Sequence, residues 1–173
     1  MSIRILILST IVLLVSGCAT GPSLGTRYTD PVPSLEGHAT LYIYRQPSIG
    51  AAWYPKIFIN GEEFVDLTAG GYTSVYLKPG KYEIKGIQYQ PDIFRTIVGD
   101  EFNISLEVKE ITDHYIKFYF EKTGNRAEIA FTGGSATSYS TPEGDFQFKH
   151  VKPDKALSEL YKYGHIEAKF NSL

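Results

Sequence analysis

The chain has 173 residues, of which 43% are hydrophobic and 21% are charged, and its formal net charge is −2. This hydrophobic content supports a buried core and excludes a wholly disordered chain, and the single cysteine excludes a scaffold built on internal disulfides. The nearly balanced charge argues against a protein that binds nucleic acid by electrostatic attraction.

The first seventeen residues are organised like a secretory signal peptide. The segment from Met1 to Arg4 carries one charged side chain, and an almost purely apolar stretch of eleven residues follows from Ile5 to Val15. A helix needs roughly 17 to 25 apolar residues to cross the hydrocarbon core of a bilayer. We therefore expect an export segment, residues 1–17, that is removed, and not a permanent membrane span.

Val15-Ser16-Gly17-Cys18 resembles the bacterial lipobox, in which an aliphatic residue and two small residues precede a cysteine. The resemblance implies cleavage between Gly17 and Cys18 and a covalent lipid on the Cys18 thiol, with no other cofactor. Burial of each acyl methylene stabilises attachment by about 0.8 kcal/mol, and two or three chains hold a protein at a bilayer without a membrane-spanning helix. The alternatives are an ordinary secretory signal with a coincidental cysteine, or a buried core thiol.

Ala19 follows the cysteine of this motif. In lipoproteins of Gram-negative bacteria, an aspartate at that position tends to retain the protein in the inner membrane. For a source with two membranes, the resemblance therefore favours the outer membrane, with the protein facing the periplasm.

Residues 18–37 are interpreted as the acylated cysteine and a flexible tether. Eleven of the nineteen residues in 19–37 are Gly, Pro, Ser or Thr, and the segment shows no hydrophobic periodicity. A flexible chain of this length reaches about 25 Å from end to end. An alternative is that Arg27-Tyr28 docks on the domain as a short edge strand.

From Ala39 onward the sequence predicts short strands, because runs of β-branched and aromatic residues are separated by glycine and proline. The first candidates cover 41–44, 56–59 and 63–65. Asn60-Gly61, between the last two, predicts a hairpin with a type I′ turn, which requires positive φ at both central residues.

A second hairpin is predicted between strands at 72–77 and 81–89. Lys78-Pro79-Gly80 lies between them, where proline presets φ and Gly80 would supply the left-handed position. Ala69-Gly70-Gly71 precedes the first of these strands and predicts a turn or a bulge rather than a phosphate-binding loop, because no helix follows it.

Apolar and polar residues alternate over 102–109, which predicts a strand with one buried and one wet face. Further strands are predicted at 115–120, 127–131 and 146–151. The stretch 132–145 is rich in Gly, Ser and Thr, and it predicts a long mobile connection or two weak edge strands.

The segment 153–161 has apolar residues at helical spacing and predicts a short helix, with Gly164 as its stop signal. Such a helix could cover an open edge or face of a sheet. About eight strands and one short C-terminal helix predict a mainly β fold, an antiparallel β-sandwich over residues 38–173.

Three stretches carry a resemblance to a known family: Ala39-Thr40-Leu41-Tyr42-Ile43-Tyr44-Arg45, Ile57-Phe58-Ile59-Asn60-Gly61-Glu62 and Leu77-Lys78-Pro79-Gly80-Lys81-Tyr82. They resemble the bacterial lipoproteins grouped as domain of unknown function 2846. Members read as a strand ending in Tyr-Arg, a short strand into Asn-Gly and a Leu-x-Pro-Gly-x-Tyr turn. The resemblance implies a small exported β domain with no assigned activity.

The four histidines do not predict a metal site. His38, His114, His150 and His165 are scattered, and no two are spaced as His-x-x-x-His. They are interpreted as surface residues or as histidines whose hydrogen bonds are satisfied.

No catalytic residue is predicted. Asp113-His114 could pair a base with its orienting carboxylate, but adjacent residues of a strand point to opposite faces. A Gly-x-Ser-x-Gly nucleophile elbow is absent from the sequence. Glu62-Glu63 and Asp100-Glu101 are interpreted as solvated charges at turns.

Aromatic residues are abundant, with 13 Tyr, 10 Phe and one Trp. Tyr42 and Tyr44 alternate with the core positions of the first strand and are expected on its other face. Trp53 and Tyr54 are expected in a loop that spans residues 46–55, where contacts with partners are common. These four residues are the candidate partner contacts, because exposed aromatic rings stack on sugars or anchor protein partners. The alternative is that the tyrosines simply occupy half-buried strands.

Two functions remain open from the sequence. The first is a lipid-anchored, non-enzymatic envelope module that binds another envelope protein or an envelope polymer, and not nucleic acid. The alternative is an envelope hydrolase or glycan-processing enzyme whose site is formed from dispersed residues. A deep pocket in which His114 converges with a buried acid would favour the enzyme.

Overall fold

The computed structural model describes residues 24–47, 54–91, 96–132 and 135–173. These residues form nine strands and one helix. The strands are β1 (Ala39–Arg45), β2 (Tyr54–Ile59), β3 (Glu62–Asp66), β4 (Gly71–Leu77), β5 (Gly80–Pro91), β6 (Thr96–Val108), β7 (His114–Thr132), β8 (Ser135–His150) and β9 (Gly164–His165). The helix is α1 (Pro153–Leu160).

The strands form two sheets that enclose a common core. Sheet A has the order β8-β7-β1-β4-β9, and sheet B has the order β3-β2-β5-β6. The predicted β-sandwich is confirmed, although sheet A is mixed. Its pairs β1–β7 and β4–β9 are parallel, whereas the sequence predicts antiparallel pairing throughout.

Apolar residues from alternate positions of both sheets fill the space between them. From sheet A they include Leu41, Ile43, Val75, Leu77, Ile116 and Phe118; from sheet B they include Ile57, Ile59, Phe64, Ile84, Leu106 and Val108. Each fully buried side chain of this kind contributes about 1.5–3 kcal/mol of hydrophobic stabilisation. The alternation seen in the sequence at 102–109 therefore marks the face of β6 that turns toward sheet A.

Two turns are confirmed. Asn60 and Gly61 have φ values of 50° and 85° and join the antiparallel strands β2 and β3, as a type I′ turn requires. Gly70 has a φ of 74°, and its amide donates a hydrogen bond to the Arg45 carbonyl. A side chain at either glycine would be strained in this backbone conformation.

Lys78-Pro79-Gly80 does not close a hairpin, so this prediction is wrong. β4 belongs to sheet A and β5 to sheet B, so the turn carries the chain across the sandwich. Leu77 and Tyr82 pack into the shared core from these two sheets. Gly80 is outside the left-handed region, and the Tyr82 hydroxyl closes the turn by donating to the Lys78 carbonyl at 2.9 Å.

β7 and β8 form a long ribbon that the sequence did not predict. The strands expected at 115–120 and 127–131 belong to one continuous strand, and most of the expected connection at 132–145 lies in β8, at the edge of sheet A. Beyond Phe118, which pairs with Arg45, β7 runs on to Thr132, a distance of about 45 Å at 3.3 Å per residue. Backbone hydrogen bonds to β8 sustain this extension despite its Gly- and Ser-rich sequence.

α1 is confirmed at Pro153–Leu160, with proline in its first turn. Its predicted stop at Gly164 is wrong, because the helix ends at Leu160 and Gly164 pairs with β4 as part of β9. The helix covers the outer face of sheet A, where Ala156 and Leu160 are buried. Within the described ranges, no helix has the length and hydropathy that crossing a membrane requires.

The segment from Leu24 to His38 packs on the domain, so its interpretation as flexible tether is wrong. Arg27 forms an antiparallel bridge with Gly164, and the Tyr28 amide donates to the Tyr163 carbonyl at 3.1 Å. Tyr28 is only 6% exposed. The alternative that Arg27-Tyr28 docks at the sheet edge is confirmed, and residues 24–37 belong to the folded unit together with the domain expected from residue 38 onward.

Replacing Tyr28 by alanine is expected to lower the free energy of unfolding by about 3 kcal/mol, because a buried ring is lost. Its ring makes edge contacts with Tyr42 and Tyr72, at centroid distances of 6.1 and 5.4 Å. Urea unfolding of the purified protein measures the change. Leu35→Ala is the control in the same segment, because Leu35 is exposed. Equal unfolding midpoints for both variants would contradict docking of this segment.

Candidate functional site

The outer face of sheet A is a second buried cluster, rich in tyrosine. Its buried members are Tyr28, Tyr42, Tyr44, Tyr72, Tyr115, Ala156, Leu160 and Tyr163. Tyr42 and Tyr44 have no exposed surface at all. They do lie opposite the core positions of β1, as expected, but their expected exposure is wrong because α1 and the segment 24–38 cover them. They are therefore not available to a partner.

Tyr42 shows how this cluster satisfies polar groups in a buried place. Its ring stacks on Tyr115 at a centroid distance of 5.1 Å, and its hydroxyl accepts a hydrogen bond from the Val32 amide at 2.9 Å. Burial raises the pKa of Tyr42 far above the ordinary tyrosine value, so the phenol stays neutral. The ring thus fills the space while its hydroxyl fixes the N-terminal segment over the sheet.

An ion pair joins α1 to sheet A beneath the helix. Lys117 Nζ donates to Glu159 Oε2 at 2.7 Å, and the Tyr44 hydroxyl donates to the same oxygen at 3.0 Å. Burial by itself raises the pKa of Glu159, but the hydrogen bonds from Lys117 and Tyr44 outweigh it and leave the pKa below its ordinary value. Burial also raises the pKa of the neighbouring Tyr163 to about 12.

This arrangement is suited to holding the helix and not to chemistry. Glu159 Oε2 receives two donors, and the Lys117 ammonium lies 5.8 Å from the centre of the Tyr44 ring. Both charges are therefore neutralised inside the protein. Hydrogen bonds between charged groups in such settings contribute about 1.5–3 kcal/mol.

Three residues singled out from the sequence, Gly17, Cys18 and Trp53, lie outside the described residues. Tyr54 is described and begins β2, where it is half-buried. Its ring lies 6.4 Å from the Tyr89 ring, and burial raises its pKa. Its expected place in a loop is therefore wrong, but Tyr54 remains a partly accessible aromatic residue.

His114 begins β7 and is half-buried. Its Nε2 atom is enclosed without a hydrogen-bond partner among the described residues. Burial lowers its pKa, and the nearby His150 lowers it further, whereas Asp113 opposes the change. His150 contacts the Ser105 carbonyl through Nε2 at 3.1 Å. In the part of the chain that the structure describes, no three His, Cys, Asp or Glu residues gather as metal ligands would.

The two predicted pairs of turn carboxylates lie in strands, so their placement at turns is wrong, although three of the four are exposed as expected. Glu63, in β3, accepts hydrogen bonds from Lys56 and from Lys169, the latter at 2.7 Å. These bonds lower the pKa of Glu63. Glu101, in β6, pairs with Lys85 at 2.7 Å. Lys169 and Lys85 lie 106 and 16 positions from their carboxylates, and Lys56 lies across the β2–β3 hairpin, so the pairs do not follow from the turn signals alone.

A groove of about 450 Å³ opens at the edge of β4. The groove forms because the C-terminal segment is bonded to this edge at two points and moves away from it between them. At these points the Ile166 amide donates to the Tyr72 carbonyl, and the Tyr76 amide donates to the Asn171 carbonyl. Between them, Lys169 N donates instead to the Phe64 carbonyl, in sheet B. The lining residues are Val32, Thr73, Ser74, Tyr76, His165, Glu167, Ala168, Lys169, Phe170 and Asn171.

The groove combines aromatic surface with polar and charged groups of both signs. The Thr73 hydroxyl is buried and has no hydrogen-bond partner among the described residues. Phe170 and Tyr76 supply apolar surface, and Glu167 and Lys169 supply charge. Such a mixture is typical of sites that bind a small polar molecule or part of a chain. His114 does not line this groove.

Sequence reasoning missed this groove because it arises from a departure of the chain at 166–171, which has no local signal. It also missed Arg45, which ends β1 and is 1% exposed. Arg45 Nη1 donates to the Leu67 carbonyl at 3.3 Å, and burial lowers its pKa to about 10. The Tyr-Arg ending of the strand was the available signal.

Glu159→Gln is expected to lower the free energy of unfolding by about 1–3 kcal/mol at neutral pH, because it leaves the Lys117 ammonium without its counter-charge. The pKa of Glu159 is lowered by folding, so its stabilisation is present above the ordinary value and is lost as pH falls below it. Urea unfolding between pH 7 and pH 3 measures this dependence. The variant and the unaltered protein should converge at the acid end.

The double variant Lys117→Met/Glu159→Met is the control, because it removes both charges and leaves neither unpaired. We expect it to recover part of the stability lost in Glu159→Gln. A difference between Glu159→Gln and the unaltered protein that is the same at every pH would contradict the ion pair.

Comparison with known protein families gives a match that covers more than half of the chain. The model of a family described as protein of unknown function (DUF2846) matches residues 35–135. Searches of the curated proteins and of the solved structures found no match. The matched range starts just before β1 and ends at β8, so it covers most of both sheets. The chain therefore belongs to the DUF2846 family.

Proposed function

We propose that this protein is a lipid-anchored, non-enzymatic binding module of the bacterial envelope. The observation that carries the proposal is the Val15-Ser16-Gly17-Cys18 motif, which follows an apolar export segment and contains the only cysteine of the chain. Membership of DUF2846 is consistent with it, since the members resembled by this sequence are lipoproteins. Ala19 favours the outer membrane, facing the periplasm.

The groove beside β4 supports a role in binding. It is open to solvent at the edge of sheet A and offers hydrogen-bonding and ionic groups beside two aromatic rings. A segment of another envelope protein or of an envelope polymer could make hydrogen bonds there and pack on Tyr76 and Phe170. Trp53, which directly precedes β2 in the sequence, remains a second predicted contact.

Replacing Cys18 by serine should abolish incorporation of radiolabelled palmitate and release the protein from the membrane fraction, because the acylated thiol is lost. Labelling and fractionation of cells that express each variant measure both effects. Ala19→Asp is the matched control, and it should keep the label. In a source with two membranes, it should move the protein toward the inner membrane.

Unchanged palmitate labelling and unchanged fractionation of Cys18→Ser would contradict the lipid anchor. If Ala19→Asp loses the label as well, the substitutions act on export in general and not on the thiol. Density-gradient separation of the two membranes distinguishes retention from failed export.

Ser74→Phe should narrow the groove and lower the yield of crosslinked partner from intact envelopes by about fivefold, equivalent to about 1 kcal/mol. Ser74 is half-buried and lines the groove. Trp53→Ala should lower the yield if the loop contributes. Ser105→Phe is the control, because Ser105 is exposed in β6. Recovery of the same partners at the same yield from all variants would show that neither the groove nor Trp53 contacts a partner.

A further inference from the structure

We infer that the domain rests directly on the bilayer through a small surface around the point where the N-terminal chain leaves the fold. This surface, the exit patch, consists of Leu24, Arg27, Tyr161 and Lys162. The inference rests on the proposed lipid anchor at Cys18. It names the contact that such an anchor imposes, with anionic phospholipid headgroups as the partner.

The chain is fixed to the domain from Gly25 onward. The Gly25 amide donates to the His165 carbonyl at 2.7 Å, and the His165 amide donates to the Thr26 carbonyl at 2.9 Å. The bridge between Arg27 and Gly164 continues this pairing. Residues 25–28 are therefore held against the domain by strand-like pairing and do not act as a flexible tether.

Only five residues lie between Cys18 and Leu24, so six residue-to-residue steps join them. Fully extended, they span at most about 20 Å. The tether expected from the sequence had nineteen residues, which would extend about 65 Å. Docking of the segment therefore removes most of the slack, and the exit patch cannot move far from an acylated Cys18.

Leu24 and Tyr161 lie at the same end of the sandwich. A Cβ atom added to Gly164 would lie 2.7 Å from Leu24 Cβ, and one added to Gly70 would lie 3.9 Å from Leu24 Cδ1. Tyr161 caps α1 and precedes Gly164 by three residues, a span of at most about 10 Å. Both side chains are exposed, Leu24 by 47% and Tyr161 by 56%.

The charges of the exit patch match an anionic surface. Arg27 and Lys162 are exposed, and Lys162 Nζ lies 5.2 Å from the centre of the Tyr161 ring. The carboxylate of Glu159, at the end of the helix, is already engaged by Lys117. Tyrosine with a neighbouring lysine is suited to the membrane interface, where the ring sits at headgroup level and the ammonium reaches phosphate.

The β7–β8 ribbon constrains the orientation. β7 runs parallel to β1 and continues past Arg45, the last residue of β1. The Arg45 carbonyl accepts a hydrogen bond from the Gly70 amide, and Gly70 lies beside Leu24. The ribbon thus extends toward the end that carries the exit patch, on the opposite edge of sheet A. A two-stranded ribbon with open edges does not cross a bilayer. The bilayer therefore meets the β9 edge of the sandwich, with the ribbon outside the hydrocarbon.

The test places a tryptophan reporter in the lipid-modified protein, as it is purified from the membranes of cells that express the whole sequence. Trp53→Phe removes the only native tryptophan, and Tyr161→Trp then adds one in the exit patch. The control reporter is Ile111→Trp, since Ile111 is 58% exposed and lies between β6 and β7, at the other end of the sandwich. Each protein is reconstituted in vesicles of phosphatidylethanolamine and phosphatidylglycerol, with and without brominated acyl chains.

Brominated lipid should lower the fluorescence of the Tyr161→Trp reporter by about twofold, because interfacial aromatic rings lie at the headgroup level, next to the acyl chains. The Ile111→Trp reporter should keep its intensity. Equal quenching of both reporters, or none of either, in protein that carries the lipid and floats with the vesicles would overturn the exit patch and leave the lipid anchor intact. If protein with an intact Cys18, purified from cells, carries no lipid and fails to float with the vesicles, both proposals are overturned.

A charge reversal gives an independent measurement. Lys162→Glu should reduce the quenching of the Tyr161→Trp reporter on vesicles that contain phosphatidylglycerol, and this reduction should vanish on phosphatidylcholine alone. Lys78→Glu is the matched control, since Lys78 is exposed beside Leu77 at the far end of β4. If both reversals act equally, the net charge and not the exit patch governs the contact. A Tyr161→Trp reporter that is shielded from solvent but not quenched by brominated lipid would indicate a protein surface, a second copy included, in place of the bilayer.

Discussion

The burial of β1 on both faces is the constraint on which the rest of the structure depends. Every residue of Ala39–Arg45 is buried, although only alternate side chains can reach the core between the sheets. The other side chains, among them Tyr42 and Tyr44, need a second cover on the outer face of sheet A. α1 and the segment from Leu24 to His38 supply it, and the tyrosine hydroxyls find partners in that cover. The domain is thus a sandwich with a third, partial layer.

This third layer adds residues 24–38 to the folded unit. A segment that composition marks as a linker is needed to keep Tyr42 and Tyr72 from water, so it cannot serve as a tether. If Cys18 carries a lipid, the distance from the bilayer to the domain is limited by the five residues between Cys18 and Leu24. In that case, docking of the segment also limits how far the domain stands from the membrane. The Lys117–Glu159 pair stabilises the same layer by holding α1 over the outer face of sheet A.

Local patterns predicted the parts of the fold that depend on local geometry. The turn at Asn60-Gly61, α1 and the alternation at 102–109 follow from backbone conformation and periodicity, and all three are confirmed. The crossing at Lys78-Pro79-Gly80 could not be predicted, because the same turn chemistry serves a hairpin and a change of sheet. The prediction that Tyr44 is exposed was wrong because the residues that cover it lie more than 100 positions away in the sequence. The groove at β4 has no sequence signal, because it forms where pairing between distant segments lapses.

Amide hydrogen exchange tests the central claim, that the N-terminal segment is a structural layer, most directly. Gly25 and Tyr28 donate hydrogen bonds to His165 and Tyr163, so their amides should exchange slowly and on the same timescale as the amide of Tyr42 in β1. Exchange of Gly25 and Tyr28 at the rate of an unstructured peptide, beside a protected β1, would contradict the account. In that case the outer face of sheet A would need another cover, and the tether would regain its full length.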